Sequence, residues 1–200
     1  IVAIGNSAKG GTQEYKIGKF GVGFKAVFQY TSTPYIYDDN FSFYIKDLIV
    51  PVMLDFDDDK RKNGETLFYF PFNKDGMSAE QAYNEISEKL QNLQFPLLFL
   101  NHLKNLYWAV EGLNGEYNQR EETLVGYDAE VRKVKQLFTS SVPGKSRIEK
   151  LVLFSKVEET TNLKYSVGYL VNDDEDSIVP IQVPVFCYFP TAKSSGLNFI

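Results

Sequence analysis

The sequence predicts an α+β chain with mixed or antiparallel sheets, and three observations carry that reading. Ala82, Tyr83, Ile86, Leu90 and Leu93 recur at helical spacing behind Ser78 and Gln81, a capping-box pattern that marks a helix start. Ahead of that helix, Phe41, Phe43 and Ile45 alternate with Ser42 and Tyr44, the period of a strand. Behind it, NLYWAVEG, EKLVLFSKV, KYSVGYLV and PVFCYFP all read as strands.

In chain order, Ile1 to Ile4 is short and apolar, and Asn6 to Tyr15 (NSAKGGTQEY) is a polar, glycine-bearing loop. Ile17 to Thr31 (IGKFGVGFKAVFQYT) puts three glycines into six residues, then sets Phe24, Val27 and Phe28 on one side at helical spacing. Pro34 ends that segment. The 41–45 alternation follows, then a second apolar run from Leu48 to Phe56. DDDKRKNG (Asp57 to Gly64) reads as a solvated hairpin tip leading into a third strand, ETLFYFPF. The capped helix comes next, as a joint between two subdomains. Phe95 to Leu103 is apolar but broken by Asn101 and His102, which marks it as core. Asp128 to Phe138 reads as a second helix or an irregular segment. NDDEDS (Asn172 to Ser177) lacks the ligand spacing of a calcium loop and reads as a hairpin connection. Tyr107, Trp108, Phe154, Phe186 and Phe189 alternate with apolar neighbours and are expected in the core.

Composition narrows the function classes. With 44% hydrophobic and 15% aromatic residues in 200, the chain can bury a core, which excludes wholesale disorder. A net charge of -5 argues against a general nucleic-acid binder, and no apolar run approaches the roughly 20 residues that span a bilayer. The single cysteine, Cys187, excludes an intrachain disulfide framework and is expected as a buried, inert thiol. The single histidine, His102, has no Cys or His companion with which to hold zinc. A cytoplasmic, reducing setting is the default. The chain opens on Ile1 without an initiator Met or signal peptide, and is expected to be a piece of something longer.

The glycines invite three phosphate chemistries. A P-loop needs GxxxxGK[ST], and the one GKS, Gly144-Lys145-Ser146, has Thr139 where the first glycine belongs. A dinucleotide turn needs GxGxxG after a strand, whereas Gly18, Gly21 and Gly23 are spaced GxxGxG after a polar loop. The third chemistry is a loop whose successive N–H groups face a phosphate at a helix start, with the preceding polar stretch as a lid. A tight turn packing a helix on a sheet accounts for the glycines equally well.

IVAIGNSAKGGT followed by IGKFGVGFKAVF resembles the ATP lid and glycine box of the GHKL ATPase superfamily, most of all its ninety-kilodalton heat-shock chaperones. FKAVFQYTSTPYIY, FSFYIKDLIVP, VFCYFPT and SGLNF resemble the ATPase-like modules of sacsin and related bacterial proteins. The likeness is dense over residues 1–75 and thin beyond. It implies the C-terminal part of a Bergerat-type α/β sandwich over 1–75, a helical connector over 76–103, and a second, mainly β α+β subdomain over 104–200. It implies that the backbone of Gly18, Phe20, Gly21, Val22, Gly23 and Phe24 holds ATP phosphates, with Lys25 just after. Asn6, Ser7, Lys9 and Thr12 fall in the lid, where Lys9 can neutralise phosphate charge. Thr66, in Gly64-Glu65-Thr66-Leu67, matches an element that helps hold adenine; read alone it is an ordinary β-branched strand residue. Lys193 is placed as a γ-phosphate sensor from the second module, against a solvated loop lysine as the plain reading.

The superfamily's E-x-x-x-N helix, with its general base and Mg²⁺-binding Asn, and its adenine-reading Asp box belong upstream of the lid. Neither occurs in that order here, so no catalytic residue and no metal ligand is assigned in this chain, and Mg²⁺ is expected only with that upstream segment. The resemblance implies an ATP-binding, nucleotide-gated switch with slow hydrolysis in an intact parent and a chaperone-like role. Its implied partners are ATP or ADP, the other domains of that parent and client proteins. A fold that keeps its shape as a catalytically inactive scaffold is the alternative.

Overall fold

The computed structural model describes residues 23–55, 58–100, 102–124, 129–161 and 163–200. The chain divides into two compact units, Ile1–Glu88 and Lys89–Ile200. Both are built on antiparallel sheets, with few helices.

The described part of the first unit begins with a 3-10 helix, Gly23–Gln29. Strands β1 (Tyr35–Tyr37), β2 (Ser42–Lys46), β3 (Val50–Met53) and β4 (Leu67–Tyr69) follow, paired in the order β3-β2-β1-β4. The helical spacing of Phe24, Val27 and Phe28 is used as expected, but in the tighter helix that suits so short a run before Pro34. Phe28, Ile36 and Ile45 form the buried cluster, with Phe24, Val27 and Phe43 packed on it. Two strand expectations need correction. Phe41 lies just outside β2 and is exposed, and the apolar run from Leu48 yields the short β3, whose Val50 and Met53 face solvent. β3 is an edge strand, with a neighbour on one side only, so fewer side chains flank its residues than those of β1 and β2.

Helix α1 (Ala79–Gln91) starts where the capping pattern places it. The Gln81 amide donates to Ser78 Oγ at 3.1 Å, satisfying one of the free N–H groups of the first turn. Ala82 is buried, while Ile86 and Leu90 are half-buried, so the apolar stripe faces inward as its spacing demands.

The second unit is a meander. Strands β5 (Asn105–Val110), β6 (Leu113–Leu124), β7 (Glu130–Ser140), β8 (Arg147–Glu158), β9 (Leu163–Val171) and β10 (Ile178–Val179) pair with their sequence neighbours into one six-stranded sheet. A separate hairpin, β11 (Pro184–Cys187) and β12 (Phe189–Ser194), completes it. One face of the large sheet is covered: Val134, Leu151 and Leu153 pack with Phe95, Leu98 and Val183, and Phe99, Ile181, Phe186 and Ile200 close over them. The backbone of Ile200 pairs with Gly168 of β9 through two 2.8 Å hydrogen bonds, which ties the last residue to the sheet. The other face is open, as antiparallel sheets tolerate.

This arrangement overturns several expectations. The segment from Asp128 to Phe138 contributes to β7, and GEYNQREE, not read as a strand, lies in β6. Both were obscured because a polar pair takes inward positions: Gln119 and Gln136 sit opposite each other, buried, with Gln136 Nε2 donating to Gln119 Oε1 at 2.7 Å. PVFCYFP is not one strand but a hairpin, turning at Tyr188 with φ 63°. Cys187 is exposed, contrary to the buried thiol expected of it, because it lies in a two-stranded hairpin too small to enclose its residues. Among the aromatics, Trp108 is buried and Phe186 half-buried, but Tyr107, Phe154 and Phe189 are exposed. Tyr107 and Phe154 alternate with buried neighbours and therefore point to the open face. NDDEDS does connect β9 to β10, its Asn172 side chain accepting from the amides of Asp176 and Ser177. Gly144-Lys145-Ser146 lies in the β7–β8 turn, with a strand after it and no helix.

Candidate functional site

Asn6, Ser7, Lys9, Thr12, Gly18, Phe20, Gly21 and Val22 lie outside the described residues. Gly23, Phe24 and Lys25 open the 3-10 helix, and this helix is fastened at both ends. At the front, the Phe24 ring lies 6.2 Å from both Phe68 of β4 and Phe70 just beyond it, tilted to one and edge-on to the other. Such contacts between rings contribute about 0.5–1.5 kcal/mol beyond the area they bury. At the back, the Tyr30 hydroxyl donates to Glu85 Oε1 of α1 at 2.9 Å.

The turn after the helix is organised by one side chain, Asn73. Its Oδ1 accepts from the Thr31 hydroxyl at 3.1 Å and from the Ser32 amide at 2.8 Å, and its Nδ2 donates to Thr33 Oγ1 at 2.8 Å. Thr31 is fully buried, so losing these bonds would strand polar groups in the interior. Sequence reasoning missed Asn73 and Tyr30. Their partners are 42 and 55 residues away, and no local pattern announces such pairs.

Thr66 stands immediately before β4, and its hydroxyl donates to Asp38 Oδ2 at 2.8 Å. That bond is the main reason the Asp38 carboxyl is held below its ordinary range, helped by the Asn40 amide. The next residue, Asp39, takes Arg61 Nη1 at 2.6 Å and the Gly64 amide at 3.0 Å. The loop expected as a plain solvated tip is therefore gathered onto the β1–β2 turn, and the Arg61 side chain is only 7% exposed. Gly64 has φ 79°, a conformation glycine adopts without strain. Thr66 is thus held in place, with its proton committed to Asp38 and its lone pairs able to accept from a ligand N–H.

Lys193 lies on β12 in the second unit, exposed. Among the described residues no three His, Cys, Asp or Glu side chains form a group that could hold a metal ion. No helix among them is long and apolar enough to cross a membrane. No protein-family model matches the chain, and neither a curated protein nor a solved structure matches it.

Proposed function

We propose that this chain is the phosphate-holding part of an ATP-binding module of the GHKL type, similar to heat-shock-ninety-like and sacsin-like proteins, in which nucleotide binding closes a lid as a gating step. The observation that carries the reading is the anchoring of Phe24. The residue that ends the glycine box is packed against Phe68 and Phe70, two and four residues after Thr66 in the same segment. This supports the reading because the end of the glycine box and the segment that carries Thr66 then share one packed frame, as a site gripping both ends of a nucleotide would need.

In this reading the amides of Gly18 to Phe24 face the phosphates, Lys9 and Lys25 neutralise charge, and Thr66 accepts from the adenine amino group. ATP supplies the phosphate charge; slow hydrolysis that resets the switch would need Mg²⁺ and an E-x-x-x-N helix ahead of the lid, neither of which these residues supply. The setting is cytoplasmic, and the work is chaperone-like.

Calorimetric titration of the chain with ATP, with and without Mg²⁺, tests the binding. Gly21→Val places a β-branched residue where the backbone must approach phosphate, and is expected to abolish ATP binding while far-ultraviolet circular dichroism stays unchanged. Unaltered affinity in that variant removes the phosphate role of the glycine box. An E-x-x-x-N helix followed by D-x-G in any sequence encoded ahead of Ile1 would mark a turnover-competent protein, and its lack there a scaffold.

A further inference from the structure

The open face of the six-stranded sheet carries a charge pattern that the glycine box does not explain. Arg120 of β6 stands directly opposite Lys135 of β7, and Lys135 directly opposite Lys150 of β8. Three cations therefore occupy consecutive cross-strand positions on one face, spanning about 10 Å at ordinary strand spacing. Like charges directly opposite each other are destabilising, and a protein with net charge -5 has carboxylates to spare for such positions.

The nearby carboxylates reach Lys133 and the far end of the row, where Lys150 Nζ also donates to the Asp173 carbonyl, and they leave Arg120 and Lys135 uncompensated. Glu175, from the β9–β10 connection, bonds Lys133 at 2.7 Å and lies 3.4 Å from Lys150. Glu122 stands opposite Lys133 in register. Arg120 and Lys135 have no ion pair or side-chain hydrogen bond among the described residues, and both are exposed. These groups line a depression of about 290 Å³, whose floor includes Val152 and Val171.

We propose that the row Arg120, Lys135 and Lys150 binds a compact polyphosphate, either free or as the phosphate tail of a small molecule. Arginine offers a planar fork and lysine a point charge, both suited to phosphate oxygens. The size follows from the neighbours. On one side the row gives way to Asn118, Leu137 and Ile148, and on the other to Glu122, Lys133 and Glu175. A long polyanion lying along the strands leaves the row after one step, for neutral and apolar side chains on one side and for Glu122 and the Glu175-paired Lys133 on the other. Two or three linked phosphates instead match the three cations across the strands. The site stands on residues of the second unit alone and is independent of the glycine-box reading.

Calorimetry on the full chain with sodium tripolyphosphate is the test. One binding event is expected, weakened at least tenfold by Lys135→Glu and, through a different strand, by Arg120→Glu, and weakened by added salt. Lys135→Glu is also expected to raise the thermal midpoint in the absence of anion, since it turns two repulsions into attractions, and this shows that the variant folds. Gly21→Val must leave tripolyphosphate binding within twofold of the parent, which separates this site from the other. Competition by ATP in the Gly21→Val variant identifies a phosphate tail as an accepted source; lack of competition restricts the site to free polyphosphate. No binding to the unaltered chain, or binding indifferent to both charge reversals, overturns the proposal.

Discussion

At the scale of single residues, the bond between Thr66 and Asp38 is the most informative contact in the first unit. The Thr66 hydroxyl is the largest influence lowering the Asp38 carboxyl. A carboxyl with a depressed folded pKa adds stability above its unfolded value of about 3.9, and that stability is lost as pH falls through the folded value. Thr66→Val removes the donor and keeps the shape. The Asp38 midpoint, followed by nuclear magnetic resonance across an acid titration, is expected to move upward in that variant. Stability lost on acidification is expected to shrink with it. A midpoint that does not move would assign the depression to the Asn40 amide instead. Thr66 was singled out only through the resemblance, and read alone it is an ordinary strand residue; its bond to Asp38 was not legible, because the two are 28 residues apart and meet only when β1 pairs with β4.

At the scale of elements, β5 and β6 show how a sheet accommodates its largest side chain. Glu111 and Gly112, both at positive φ, make the two-residue turn between them, and Trp108 then stands opposite Gly115. A Cβ at Gly115 would lie 2.6 Å from Trp108 Cζ2, so the indole ring occupies the space that a side chain would need. Gly115→Ala is expected to displace the ring and cost about 1–3 kcal/mol in chemical denaturation. Trp108 is the one tryptophan of the chain, so its emission reports the displacement directly. An unchanged spectrum and midpoint would mean that the strands shift to absorb the methyl group. Helix α1 was readable in advance because its cap and stripe are local signals. Strand β6 was not, because its inward positions are Gly115, Tyr117 and Gln119, a series with no apolar alternation.

At the scale of the whole molecule, the two faces of the large sheet carry unequal weight. Leu153 is fully buried against the segments that close one face, and Leu153→Ala is expected to cost about 2–5 kcal/mol. Its neighbour Phe154 points to the open face and is 44% exposed, so Phe154→Ala is expected to cost less than about 1 kcal/mol. Denaturant midpoints of the two variants test this contrast directly. Equal losses would mean that the open face is covered in solution.

The capped helix, the apolar core segment at Phe95 and the hairpin at NDDEDS were determined by the sequence itself, since each rests on residues within a few positions of one another. Only the tertiary structure decided that Phe24 is held by β4, that Asn73 organises the turn after the 3-10 helix, and that Asp38 takes the Thr66 proton. It alone also decided that three cations from three strands share one row. Local backbone preference and side-chain periodicity are written along the chain, but strand register is set by pairing across it. A one-residue slip would send every cation of that row to the opposite face.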